Sequence, residues 1–311
     1  MSLSDTDDVP QLPDERAAWA KVNLTLQVTG RRPDGYHELD SLVVFAGVGD
    51  RLTLEPAESF SLLVEGPRAK TLTADGENLV AKAAALLLRH AEPGATLPTV
   101  RLRLDKHLPV ASGIGGGSAD AAAALALLMP RMRLRERPDS DAVIVALGAD
   151  VPVCLFGRPA IVSGIGETIR RAPPLPAAWL VLANPGQPLS TPAVFKAREG
   201  GFSVPQVWPE SFSGPDDLAA HLKAGGNDLE PPARRLLPAI DGVLAALADS
   251  EGCLLARMSG SGATCFGLYA ARPAAEAAQA ALSSQHPDWW VAAAPLLHGP
   301  SERSWWDGPA R

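Results

Sequence analysis

Between Val22 and Val28 the apolar residues Val22, Leu24, Leu26 and Val28 alternate with Asn23, Thr25 and Gln27. That period predicts a half-buried strand, with Lys21 and Asn23 pointing to one side. Leu42–Phe45 and the alternating Arg51–Glu55 predict further strands, preceded by a turn at Pro33-Asp34-Gly35. Asn78–Arg89 carries Leu79, Ala83, Leu86 and Leu87 at helical spacing, and Val100–Leu104 returns to alternation with its arginines on one face. An alanine-rich helix is predicted from about Ser118 to Met129, stopped by Pro130. Val143–Ala149 reads as helical, and Pro173–Pro176 punctuates the chain before short strands at Trp179–Ala183, Cys253–Met258 and Cys265–Tyr269. Gly200–Asp217, rich in Pro, Ser and Gly, reads as a loop, and the stretch from Trp289 onward has no clear period. The length predicts two lobes, 1–165 and 166–311 by the punctuation of the chain, with one large mixed domain as the alternative.

Composition narrows the classes. A chain of 311 residues with 46% hydrophobic and 20% charged residues buries a sizeable core, so neither wholesale disorder nor a membrane protein is expected. A net charge of −7 argues against a phosphate-neutralising nucleic-acid surface. The longest strictly apolar run, Ala121–Met129, is too short to cross a bilayer. Met1–Glu15 is polar and acidic, without an apolar signal core, and reads as a loose tail. Cys154, Cys253 and Cys265 form no CxxC pair and sit among apolar residues, the pattern of buried thiols in a cytoplasmic protein.

Gly113-Ile114-Gly115-Gly116-Gly117-Ser118 opens the alanine-rich helix. Glycines there leave backbone N–H groups open to phosphate oxygens, and the helix dipole adds positive charge. Taken alone the cluster reads equally well as a flexible turn, and it fits neither a Walker loop nor a dinucleotide fingerprint. Two more clusters, Ser163–Glu167 and Ser259–Thr264, read singly as hairpin turns. Three together favour a phosphate-lined cleft. Asp150, between a helix-like segment and Pro152, and Lys21, at a strand start, each read as solvated surface charges on their own. His37 reads as an ordinary surface-loop histidine or, equally, with Tyr36 as a flat surface for stacking a base.

Four motifs together carry a resemblance: Ala20-Lys21-Val22-Asn23-Leu24, Pro33-Asp34-Gly35-Tyr36-His37, Pro109-Val110-Ala111-Ser112-Gly113-Ile114-Gly115-Gly116-Gly117-Ser118-Ala119, and Leu147-Gly148-Ala149-Asp150-Val151-Pro152. In order and content they resemble the superfamily of galactokinase, homoserine kinase, mevalonate kinase and phosphomevalonate kinase, over about Trp19 to Phe266. Within it the likeness is to kinases of 4-diphosphocytidyl-2-C-methyl-D-erythritol. The resemblance implies the two-lobed α+β fold of that superfamily with its site in the cleft between the lobes, the N-terminal lobe binding nucleotide and the C-terminal one flanking substrate. It implies ATP held by Pro109–Ala119, with Asn78, Leu79 and Lys106 near the adenine and Ser259–Thr264 closing the phosphate region. It further implies Lys21 and Asp150 as the catalytic pair, Asn23, Tyr36, His37 and Thr191 on the cytidine diphosphate-linked substrate, and Mg²⁺ travelling with the ATP. No dedicated metal cage is legible, and neither nucleic acid nor membrane is implied as a partner. Ala119 stands where the loop often carries a second serine, and Val110-Ala111-Ser112 where some members have more glycine. Rival readings are another kinase of the superfamily, diphosphomevalonate decarboxylase, or a non-catalytic nucleotide-binding protein on the same fold. Trp289, Trp290, Trp305 and Trp306 near the C-terminus match no motif and allow either internal packing or a homodimer contact.

Overall fold

The structure, a computed structural model, describes residues 14–135 and 144–299 of the 311-residue chain. The first half contains β1 (Glu15–Asn23), β2 (Gln27–Arg31), β3 (His37–Pro56), β4 (Ser61–Glu65), α1 (Leu79–Arg89), β5 (Val100–Asp105) and α2 (Gly116–Leu128). There follow α3 (Val151–Phe156), β6 (Ala160–Gly164), β7 (Thr168–Arg171), β8 (Trp179–Asn184), α4 (Thr191–Lys196), α5 (Pro215–Ala224) and α6 (Glu230–Leu236). The chain closes with α7 (Ala239–Ala248), β9 (Cys253–Met258), β10 (Cys265–Tyr269), α8 (Arg272–Gln285) and β11 (Trp290–Leu297). The fold is α+β, as expected.

One open sheet runs β4-β5-β3-β11-β8-β10-β9. β3, 20 residues long, is its spine and pairs antiparallel with β1, β2, β5 and β6 along different stretches. β7 hangs on β6. β11 reaches β3 only at Leu296↔Ala46 and Leu297↔Phe45, then pairs with β8 from Pro295↔Trp179 to Trp290↔Asn184. Residue 165 lies at the tip of the β6–β7 hairpin, both strands of which belong to the β3 side.

Hydrophobic clusters pack on the sheet. Leu52, Leu54, Leu102 and Leu104 bury against α1 and α2. Val181, Ala183, Met258, Cys265 and Tyr269 pack on Ile240 and Val243 of α7 and Leu282 of α8. Between them Val22, Leu42, Val44, Ile114, Leu180, Leu182 and Phe266 form one cluster, so the core runs unbroken from one half to the other. α2 is buried almost all round, which its alanines allow because they let neighbours approach closely.

Several expectations need correction. Val22–Val28 is not a single strand: β1 ends at Asn23, where Thr25 turns its hydroxyl to the Leu42 amide at 3.0 Å and Ser41 Oγ donates to the Thr25 carbonyl. Leu42–Phe45 and Arg51–Glu55 belong to one strand, β3, accommodated by a register shift between Trp19 and Ala20 of β1. The stretch after Trp289 contains strand β11, paired with β8 and at its end with β3; it shows no alternation because Trp290–Leu297 is apolar throughout, with no polar residue to mark a second face. The loop after Gly200 gives way to α5 at Pro215. Of Val143–Ala149, Val143 lies outside the described residues, and only Ile144 and Val145 are helical before a turn. Residues 1–13 of the supposed tail, and Trp305 and Trp306, also lie outside the described residues.

Candidate active site

The glycine-rich connection links β5 to α2 and interlocks with the β9–β10 turn. Gly113 has φ +75°, and a Cβ there would lie 2.6 Å from the Gly262 carbonyl oxygen and 2.7 Å from that of Ser259. Only glycine permits that approach. The two loops are then tied: Thr264 N–H donates to Ser112 O at 3.1 Å, and Ser259 Oγ donates to Gly113 O at 3.1 Å. From behind, Asn227 Nδ2 donates to Met258 O and Gly260 O, both at 2.8 Å. Ser112 Oγ closes the loop's first turn on Pro109 O at 2.7 Å, and Ala111, alone among the described non-glycine residues, has positive φ, +50°. Val110 is exposed, Ile114 buried, and Gly115 caps α2 with φ +63°.

β1 enters directly beneath this loop. Lys21 N–H donates to Ile114 O at 3.0 Å, and the Lys21 chain fills the space where a Gly115 Cβ would sit, 3.2 Å from its own Cβ. Lys21 Nζ lies 2.8 Å from Asp150 Oδ2. The lysine side chain is 5% exposed and the aspartate 43%, so the pair opens to solvent through its carboxylate. Ser118 faces Gly148, where a Cβ would come within 3.4 Å of its hydroxyl. Ala119 turns into the core beneath.

Lys106 is 2% exposed, with Nζ 2.5 Å from Asp50 Oδ2 and 2.6 Å from Asp120 Oδ2. Asp50 Oδ1 accepts from the His107 and Leu108 amides at 2.6 and 2.8 Å, which fixes the way into the glycine loop. A Gly116 Cβ would come 3.2 Å from the Lys106 ammonium. Burial pushes the Asp120 carboxyl up to about 7 against the opposing pull of Lys106. Burial works against the Lys106 ammonium, yet Asp120 and Asp50 together hold its pKa above the ordinary value. Asn78 is the N-cap of α1, accepting from Val80 N at 2.9 Å, and Leu79 meets α2 where a Gly117 Cβ would be 3.3 Å from it.

On the other side, Tyr36 is exposed at the end of a tight turn, with its amide on Asp34 Oδ1 at 3.1 Å. His37 does not pair with Tyr36; it stacks on Phe195, ring centres 5.0 Å apart and planes 22° apart. Burial, then Arg31 and Arg198, hold its pKa below the usual histidine value. Thr191 Oγ1 is 2.6 Å from Ser261 Oγ of the β9–β10 turn. Asn23 N–H donates to Ser259 Oγ at 3.1 Å and Nδ2 to Ser41 Oγ at 2.7 Å, while its buried Oδ1 has no partner among the described residues. Sequence reasoning misses Asp50, Asp120, Asn227 and Phe195. Only Phe195 has a local signal, standing one helical turn after Thr191 on the same face of α4.

Among the described residues no group of three His, Cys, Asp or Glu side chains is placed to hold a metal, and no helix is long and apolar enough to cross a membrane. A cavity of about 280 Å³ lies between β1, α2 and α3, but neither Lys21 nor Asp150 lines it.

Two family models match, the GHMP kinases N terminal domain over residues 78–158 and the GHMP kinases C terminal over 214–288. A Cereibacter sphaeroides protein named 4-diphosphocytidyl-2-C-methyl-D-erythritol kinase is 56% identical over 287 residues, covering 91% of this chain and 99% of its own. The chain belongs to the 4-diphosphocytidyl-2-C-methyl-D-erythritol kinase family of GHMP kinases. A Rhodospirillum rubrum member of this kinase family is 52% identical, covering 90% of this chain and 92% of its own. A crystal structure of a 4-(cytidine 5'-diphospho)-2C-methyl-D-erythritol kinase superposes with TM-score 0.72 at 36% identity, over 92% of this chain and all of that one. A Cytophaga hutchinsonii homoserine kinase, TM-score 0.62 at 16% identity over 93% of this chain and 96% of its own, shares the GHMP kinase fold.

Proposed function

We propose that this kinase transfers the γ-phosphoryl group of ATP to the 2-hydroxyl of 4-diphosphocytidyl-2-C-methyl-D-erythritol, giving the 2-phosphate and ADP. The reaction belongs to the non-mevalonate route to isoprenoid precursors, and the cytoplasm is its proposed place. The observation that carries the reading is the Lys21–Asp150 pair, 2.8 Å apart and open to solvent beneath a helix-opening glycine loop. The identity of 56% with a named relative over nearly its whole length supports the choice of substrate.

In this reading the amides of Gly113–Ser118 and the N-terminus of α2 hold the phosphates, within the ATP segment Pro109–Ala119. Asn78 and Leu79 flank the adenine. Lys106 supports the loop from beneath, its ammonium being held between two buried carboxylates. Asp150 takes the proton of the 2-hydroxyl as its oxygen attacks the γ-phosphorus, and Lys21 steadies the carboxylate and the charge that develops. Tyr36, His37 and, by its stack on His37, Phe195 form the base end. Asn23 and Thr191 line the space between. Mg²⁺ would travel with the triphosphate, and Ser118, whose hydroxyl faces Gly148 at the start of α2, would be a contact for it or for phosphate. The ion would neutralise phosphate charge.

The test is ADP release with Mg-ATP and, in turn, 4-diphosphocytidyl-2-C-methyl-D-erythritol, mevalonate, phosphomevalonate, homoserine and galactose. Turnover with the cytidine compound alone is expected; turnover with a different alcohol instead would overturn the substrate.

A further inference from the structure

We infer that the β6–β7 turn, Ser163–Thr168, is a positioning element for Asp150 that acts through the backbone of Ala149. The inference rests on the proposed role of Asp150. The turn is the third glycine cluster of the sequence, and neither phosphate nor base recognition uses it. Gly166 has φ +117°, and a Cβ there would lie 2.8 Å from the Ala149 carbonyl oxygen and 3.5 Å from its carbonyl carbon and Cβ. The obstacle is main chain, which cannot swing aside as a side chain can.

Ala149 immediately precedes Asp150, in a turn with short-range ties of its own: Leu147 N to Ile144 O at 3.0 Å, Gly148 N to Val145 O at 2.9 Å and Val151 N to Gly148 O at 3.0 Å. Lys21 holds the carboxylate from the front. The β6–β7 turn closes the space behind. That turn is stiff, with Gly166 N on Ser163 O at 3.3 Å and Ile165 N on Glu167 Oε2 at 2.5 Å. It is also anchored, because Gly164 and Ser163 pair with Leu39 and Asp40 of β3. His37 begins the same strand. A single run of β3 therefore carries both the base-end histidine and the backstop of the proton acceptor. The second Glu167 oxygen lies 4.0 Å from Arg32, in the turn that presents Tyr36. The distance between the base end and the reacting end of the substrate is thus set by one piece of sheet.

The test is steady-state kinetics of Gly166→Ala in the wild-type and Asp150→Asn backgrounds, with folding checked by thermal melting. Displacing the acceptor is expected to lower kcat by about 10-fold or more while KM for ATP and for the cytidine substrate stays within about 3-fold. In the Asp150→Asn background the same substitution is expected to change the residual rate by less than about 2-fold, because its effect passes through that carboxylate. A folded Gly166→Ala enzyme with near-normal kcat overturns the inference, as does an equal fold-loss in both backgrounds. Glu167→Ala, which removes the acceptor of the Ile165 amide at a half-exposed site, decides the matter if Gly166→Ala does not fold. It should lower kcat by about 3-fold and be silent with Asp150→Asn; unchanged kcat overturns the inference. Wild type inactive on the cytidine substrate, or Asp150→Asn fully active, would instead sink the proposed function beneath it.

Discussion

Replacing Lys106 by methionine should cost this protein a large part of its stability, and the loss should depend on pH in a definite direction. The ammonium sits 2.5 and 2.6 Å from two carboxylates, all three groups being buried. Methionine keeps most of the volume and removes the charge. Breaking a buried ion pair from one side costs about 3–5 kcal/mol, because the partner stays buried without compensation. The variant relieves the repulsion between Asp50 and Asp120 by binding a proton. Net stabilities of domains are about 5–15 kcal/mol, so the variant should be folded yet weakened. For the sign, the carboxyl that gains the proton has a folded pKa raised above its unfolded value. The folded variant then binds more protons than the unfolded chain, and its stability falls as pH rises. Because the wild-type Asp120 carboxyl, pushed up to about 7, also takes up a proton below that pH, the deficit relative to wild type should shrink by up to about 1.4 kcal/mol per pH unit as pH falls from 8.5 toward 7 and change little below. Urea unfolding of both proteins, followed by tryptophan fluorescence at several pH values, measures this. A deficit below about 1 kcal/mol at pH 8.5, or one equal at pH 7 and 8.5, would refute the reasoning.

The other expectations are kinetic. Asp150→Asn and Lys21→Ala should each lower kcat by about 100-fold or more with ATP affinity retained, and near-normal turnover in either would remove its role. Phe195→Ala and His37→Ala should both raise KM for the cytidine substrate by about 10-fold or more and leave KM for ATP within about 2-fold, since the two rings stack on each other; equal weakening of both substrates would point to general damage. Because the His37 pKa is lowered, mainly by burial, affinity for the cytidine substrate should stay flat from pH 8 down to about 6.5 and weaken only as pH falls further. A His37-dependent loss centred above that pH would contradict it. Gly113→Ala should separate the two interlocked loops and weaken ATP binding, checked by calorimetric titration, because its Cβ would be under 3 Å from two carbonyl oxygens.

What could be read from the chain in advance depended on how local the cause was. Strands β9 and β10 and helix α1 match their predicted spans closely, because period and end signals lie within each segment: Asn78 both precedes the apolar stripe and caps it. β11 was invisible, since Trp290–Leu297 takes its conformation from the strands on either side rather than from alternation. The Thr25 and Ser41 hydroxyl bonds that break the strand after Asn23 likewise depend on residues brought in by β3. For the site, the glycine loop announces itself by composition. Lys21 and Asp150, far apart in sequence, are joined only by the fold, and their pairing came from resemblance of motifs rather than from spacing. Asp50 and Asp120 look like ordinary surface acids until Lys106 is placed between them.

The placement of β11 also bears on how the polypeptide matures. The strand that bridges β3 and β8 is the last described strand in chain order, so a nascent chain emerging from the ribosome can form the β1–β3–β5 layer and pair β8 with β10 before the sheet itself is bridged. Joining Phe45 to Leu297 requires closing nearly the whole length of the chain, and such distant pairings form late. Until then the edges of β3 and β8 that β11 covers stand open to pairing with other chains. The interval between synthesis of β8 and arrival of β11 is therefore when this protein is most exposed to aggregation, and when a chaperone would do the most for it.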